Sequence, residues 1–212
     1  RGQDRHGSPV RRGGSVPLAW QRDGDRYEAT LEVRALLMGS RTQTSVGRIT
    51  PQGLQPERFS DRSRSEKAAH FDADGQRIRF SNNAPDAALL AGAQDRLSVF
   101  LQLGALFNAR PQAFVRGQEL QLQVAGTGSA EIWHFSLGPE ETLELPVGPV
   151  QARRLTRAQS GAYGTTVEVW LAPGLAHLPV RIRLTQPSGD LIDQQLEQWP
   201  ALPKSDSVRR AD

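Results

Sequence analysis

The segment Gln94 to Asn108, QDRLSVFLQLGALFN, reads as a helix in a chain that otherwise alternates like β-sheet. At about 100° per residue, Leu97, Phe100, Leu101, Gly104 and Phe107 share one face. Val99, Leu103 and Leu106 widen that face until Ser98, Gln102 and Ala105 form the non-apolar stripe. A helix apolar over more than half its circumference belongs inside a protein, so the sheet is expected to wrap it. Asp95, placed in the first turn, suits the positive end of the helix dipole.

The clearest strand is Tyr27 to Leu37. There Tyr27, Ala29, Leu31, Val33, Ala35 and Leu37 alternate with Glu28, Thr30, Glu32 and Arg34, one dry face and one wet. Met38-Gly39-Ser40 permits a turn, and Arg41 to Thr50 can return as the next strand. Arg58 to Phe71 is polar but extended. Asp74-Gly75 then signals a hairpin turn, with Gln76 to Phe80 as the returning strand. Asn82 to Asp86 breaks the sheet before the helix.

After Arg110-Pro111, Leu120, Leu122 and Val124 alternate with glutamines, and Trp133, Phe135 and Leu137 share a face opposite Ile132 and His134. Short segments follow at Thr142–Leu145, Val150–Arg157, Thr165–Leu171, Val180–Gln186 and Leu191–Gln198. Pro146, Gly148-Pro149, Gly161, Pro173-Gly174, Pro179 and Pro187-Ser188-Gly189 punctuate them. Regular strands with turns between them predict a sandwich or barrel. A sheet must close or curl to hide its edges. The expected fold is therefore all-β with one buried helix: a curved antiparallel sheet or incomplete β-barrel of roughly ten strands around that helix. The dry strand faces should meet Leu97, Phe100, Leu101 and Phe107. Residues 1–15, rich in Gly and Arg, read as a flexible linker, 16–199 as a single β-barrel-like domain, and 200–212 as a polar tail.

A 212-residue chain can bury a core without staples. The net charge of +3 comes mostly from arginine, much of it near the ends at Arg1, Arg5, Arg11, Arg12, Arg209 and Arg210. Along the strands Arg interleaves with Asp and Glu instead of forming one basic stripe, which argues against specific nucleic-acid binding. There is no cysteine, which excludes disulfides, thiolate nucleophiles and cysteine-bearing zinc sites. No apolar run approaches the ~20 residues of a membrane helix. The chain begins at Arg1, and a signal peptide or anchor upstream is the expected source of any membrane attachment.

Chemical signatures are weak. Asp72-x-Asp74-Gly75 lacks the remaining ligands of a calcium loop and reads better as a turn. Gly126-x-Gly128 has no third glycine and no βαβ context. No G-x-S-x-G occurs, and His6, His70, His134 and His177 form no H-x-x-x-H pair. Glu168 and Trp170 share a strand face, a carboxylate beside an indole, but no second carboxylate pairs with Glu168. Asp95-Arg96 reads as a cap and ion pair. No enzyme activity, cofactor or metal is expected.

Three stretches carry a resemblance: Gly53-Leu54-x-Pro56-x-Arg58-Phe59-Ser60-Asp61-Arg62; Gly92-Ala93-Gln94-Asp95-Arg96-Leu97-Ser98 leading to Gln102-Leu103; and Trp170-Leu171-Ala172-Pro173 followed by Leu178-Pro179-Val180-Arg181-Ile182 and Gly189-Asp190. Together they resemble the bacterial envelope family known as domain of unknown function 3108 (DUF3108), common in proteobacteria, over about Trp20 to Trp199. The resemblance implies a periplasmic protein, membrane-anchored if residues upstream of Arg1 supply an anchor, and carries no catalytic residues. The architecture read from the residues is also similar to the open barrel of lipoprotein carriers, a likeness of fold alone.

The function expected is non-catalytic: binding of an apolar or lipid-bearing ligand, or a lipidated protein, on the concave side of the sheet. The candidate ligand-binding residues are Leu97, Phe100, Leu101, Phe107, Trp133 and Trp170, and plain core packing is the competing reading of each. A solid-core scaffold pairing with an envelope protein through a strand edge or through Arg58 to Lys67 is the alternative. A glycan-acting hydrolase, which would need a cleft with two carboxylates, is the third reading.

Overall fold

The computed structural model describes residues 14–15, 18–35, 39–158, 164–189 and 191–197. Residues 1–13 of the expected 1–15 linker and the whole expected tail, 200–212, lie outside the described residues, as do Met38 of the expected turn and the break at Gly161. Fifteen described strands form two sheets around one helix, a curled half-barrel. The first sheet holds β1 (Gly14–Ser15), β2 (Ala19–Asp23), β3 (Arg26–Ala35), β4 (Gly39–Thr50), β5 (Gly53–Arg62), β6 (Glu66–Asp72), β7 (Arg77–Phe80) and β8 (Ala87–Ala88). It runs β1-β3-β4-β5-β6-β7-β8, and β2 also pairs with β3. The second sheet holds β9 (Gln94–Asp95), β10 (Glu119–Ala125), β11 (Ala130–Leu145), β12 (Gly148–Arg157), β13 (Thr166–Ala172), β14 (Leu178–Thr185) and β15 (Leu191–Gln195), in reverse sequence order from β15 to β9. The helix, α1, spans Ser98–Ala109.

Most of the expected strands are present, and the count exceeds ten because short edge strands escape a periodicity reading. Gly14 and Ser15, at the end of the expected linker, pair with Arg34 and Val33 of β3. The segments read separately around Trp133 and Thr142 are one strand, β11, whose pairing with β12 shifts register between Leu137 and Glu140. Pro139 sits in that irregularity, where a missing N–H breaks no ladder. In β3, Tyr27, Ala29 and Leu31 are buried and Glu28 is exposed, as alternation requires. At the hairpin after β6, Asp72 Oδ1 accepts the Gly75 N–H at 2.9 Å, so these acidic residues make a turn.

One pair is parallel. Gln94 and Asp95 of β9 lie beside Val124 and Ala125 of β10. Parallel neighbours need a crossover, and α1 supplies it. The helix therefore starts at Ser98, later than expected, and Asp95 precedes its first turn. The expected wet stripe is also corrected: Ser98 and Gln102 are buried, and Ala105 is exposed. Gln102 Oε1 accepts the Leu54 N–H at 2.8 Å, so α1 is tied to the first sheet by its polar side.

The apolar side chains of α1 divide between the sheets. Val99, Phe100, Leu103 and Phe107 pack with Phe135, Leu155 and Val169 of the second sheet. Leu97, with Leu101 against it, packs with Ala29, Leu31 and Phe59 of the first. Burial of each large side chain is worth ~1.5–3 kcal/mol. On one side the sheets are stitched by polar side chains. Gln123 of β10 accepts the Leu90 N–H at 2.9 Å and donates to Ala88 O at 2.8 Å. Gln94 of β9 donates to Leu54 O at 2.8 Å. On the other side, between β2 and β14–β15, the barrel stays open.

Candidate functional site

That open seam holds a cleft of about 680 Å³, with α1 as its floor. Leu101, Gly104, Ala105 and Asn108 face it from α1, one stripe at helical spacing. Leu18, Trp20 and Arg22 form one wall, sharing a face by the period of two. The opposite wall comes from the 175–177 turn, Leu178, Val180 and Ile182 of β14, and Gln194 of β15. Its size falls within the ~300–1,000 Å³ of pockets that hold one small ligand. Trp20 and Leu178 remain about two-fifths exposed, at 39% and 42%, and Trp20 stacks on Tyr27 with centroids 5.2 Å apart.

Two consecutive residues of the wall, Ala176 and His177, adopt left-handed backbone at φ 51° and 56°. Non-glycine residues rarely do so, and the strain costs of order 1–3 kcal/mol each. The His177 N–H donates to Ala172 O at 2.9 Å, and its ring lies 6.0 Å from Phe107. The turn can approach α1 because position 104 is glycine: a Cβ there would sit 2.5 Å from His177 O. Burial, reinforced by the charge of Arg153, lowers the His177 pKa below its usual value, so the imidazole is neutral at pH 7.

Arg181 reaches the cleft but is committed to Asp193, donating through Nε at 2.8 Å and Nη2 at 2.5 Å. Burial works against ionisation of Asp193, yet the hydrogen bonds and charge of Arg181, with that of Arg183, hold its carboxyl below the usual range.

The six candidate residues are not brought together. Phe100, Phe107 and Trp133 lie in the core between α1 and the second sheet. Leu97 is buried against the first sheet. Leu101, half-buried at the edge of that cluster, is the one of the six that lines the cleft. Trp170 does not meet the helix. Val167, Val169 and Leu171 take the helix side of β13, and alternation sends Trp170 to the other face. There it packs with Leu143, Val150, Ala152 and Val180. The face of Trp170 also carries the half-buried, ion-paired Glu168, so a large apolar side chain does not by itself mark the face that the helix covers. The Trp170 Nε1 donates to Glu141, and the guanidinium carbons of Arg181 and Arg183 lie 5.0 and 5.3 Å from its ring centroid. Trp133 is covered by Arg157 at 4.5 Å.

The other sequence candidates have structural partners. Glu168 lies 3.6 Å from Arg154 and 3.4 Å from Arg183. His134 is exposed on β11. Asp95 caps α1 from outside it: Oδ1 accepts the N–H groups of Leu97 at 2.8 Å and Ser98 at 2.7 Å. Its Oδ2 accepts the Ser45 hydroxyl at 2.5 Å, and Ser45 Oγ lies 3.0 Å from Tyr27 Oη. Wholly buried, Asp95 is pushed up by desolvation to a pKa of about 6, against the pull of those hydrogen bonds. Among the described residues no group of three or more His, Asp or Glu side chains could hold a metal ion.

The cleft residues Trp20, Leu178 and Gln194 are not legible in the sequence, because they come from strands far apart in the chain. The Leu178-Pro179-Val180 stretch was the one trace, within a family motif.

The family model described as "Protein of unknown function (DUF3108)" matches residues 9–196. No curated protein matches the chain. Among solved structures, the chain is similar to the crystal structure of a beta-barrel-like protein of domain of unknown function DUF1849 from Brucella abortus. The two are 9% identical with a TM-score of 0.47, over 84% of this chain and 86% of that one.

Proposed function

The chain belongs to the DUF3108 family, and from that premise we propose that it is a non-catalytic envelope protein whose open seam binds an apolar or lipid-bearing ligand. The carrying observation is the cleft itself. Leu18, Trp20, Leu101, Leu178 and Val180 line it, a surface that gains by covering apolar groups. A lipidated partner would enter by its acyl chain. Among the described residues, no Asp or Glu lines the cleft, and glycan hydrolysis requires a carboxylate pair. The periplasmic location rests on the family resemblance, and cell fractionation of the native protein is its check.

The test is native mass spectrometry of the full protein purified from envelope fractions without detergent. The expected result is extra mass that organic solvent removes and that Trp20→Ala with Leu101→Ala diminishes. A bare mass that stays bare after incubation with envelope lipids overturns the reading. The alternative is a scaffold. All five residues of β2 are exposed, an edge to which a partner strand could add, and pull-downs from envelope extracts would then identify the partner.

A further inference from the structure

We propose that the cleft recognises a single-chain acyl lipid in two places: its ester or amide carbonyl at the side-chain amide of Gln194, and an anionic headgroup at Arg22. This inference rests on the reading of the cleft as a lipid site and adds the ligand's polar chemistry. Gln194 is 8% exposed, lines the cleft and leaves Nε2 without a hydrogen-bond partner. It pairs across the sheet with Ile182, another lining residue, and directly opposed residues project from the same face. A second unpartnered buried atom, Nδ1, belongs to His177 in the same wall.

Buried donors in native proteins nearly always have partners. A pure hydrocarbon would leave the Gln194 amide unsatisfied, whereas an acyl carbonyl is an acceptor attached to an apolar chain. The anionic head follows from the two arginines of the cleft. Arg181 is neutralised by Asp193. Arg22 is exposed, donates Nε to Gly24 O at 2.8 Å and has no acidic partner among the described residues. Guanidinium binds phosphate or carboxylate through paired N–H groups.

The experiment titrates the full chain with three probes below their micellar concentrations, followed by tryptophan fluorescence and calorimetry. They are palmitoyl lysophosphatidylglycerol, 1-monopalmitoylglycerol, and 1-O-hexadecylglycerol, which keeps the chain but lacks the carbonyl. Binding should weaken in that order, each step by roughly three- to tenfold. Gln194→Leu should abolish the ester-over-ether preference, and Arg22→Ala the anionic preference. Gln194→Leu replaces an unpaired buried amide by an apolar group, so it should fold at least as well as the native chain. Ester and ether binding alike overturns the inference while leaving the lipid cleft standing. A preference that survives its variant also overturns it. Failure of all three probes to bind removes the lipid reading as well.

Discussion

Asp95 and Trp20 show how differently two residues of one fold can be used. Asp95 is buried with a carboxyl pushed to about 6, against 3.8 for a free side chain. A carboxyl raised by folding favours the protonated native state. Its stabilising contribution is therefore complete below about pH 4 and lost as pH rises through about 6. The gap is worth about 3 kcal/mol. Asp95→Asn keeps an acceptor for the Leu97 and Ser98 N–H groups but removes the titration. Urea unfolding from pH 4 to 7 should show this component in the native chain and a flatter profile in the variant. Trp20, by contrast, is two-fifths exposed. Trp20→Ala should lower ligand affinity with a small change in melting temperature. Phe107→Ala, at a core position 2% exposed, should cost ~3–5 kcal/mol.

Among the elements, α1 links the two sheets and forms the floor of the cleft. Leu97, at its N-cap, offers no side-chain acceptor, and Asp95 from β9 supplies one instead. Gly104→Ala would ordinarily add up to ~1 kcal/mol of helix propensity. Here the added Cβ meets His177 O at 2.5 Å. The substitution should therefore destabilise the chain and weaken ligand binding together, as thermal melts and probe titrations would register. Gln102→Leu should cost ~1–3 kcal/mol by leaving the Leu54 N–H without its acceptor, and denaturant unfolding would measure that loss.

At the scale of the molecule, the described strands of the two sheets do not pair with one another, and the sheets communicate through α1, the Gln94 and Gln123 side chains and the cores on either side. Because α1 contributes to both cores, the sheets should unfold together. Calorimetry should give one transition with equal calorimetric and van't Hoff enthalpies; two separated transitions would show that the sheets fold independently. Among the described residues, the outer edges of β2 and β15 have no neighbouring strand in their sheets. Edges of this kind invite pairing by other chains unless charge or a ligand covers them, and Arg22 and Asp23 supply charge on β2.

By itself the sequence determined the all-β class, the presence of one buried helix, the hairpin turn at Asp74-Gly75 and most long strands. These follow from periods and turn residues that span only a few positions. Family membership was legible too, in motifs such as those around Leu54 and Leu178. The tertiary structure alone decided the division into two sheets, the polar tie from Gln102 to Leu54 and the placement of Trp170 away from the helix. It also assembled the cleft from β2, α1, β14 and β15. Alternation says that a strand has two faces but not which element covers each, and a helix apolar nearly all round does not reveal which side stays open. Those choices belong to contacts between residues far apart in the chain, such as Trp20, Leu101 and Gln194, which local spacing cannot bring together.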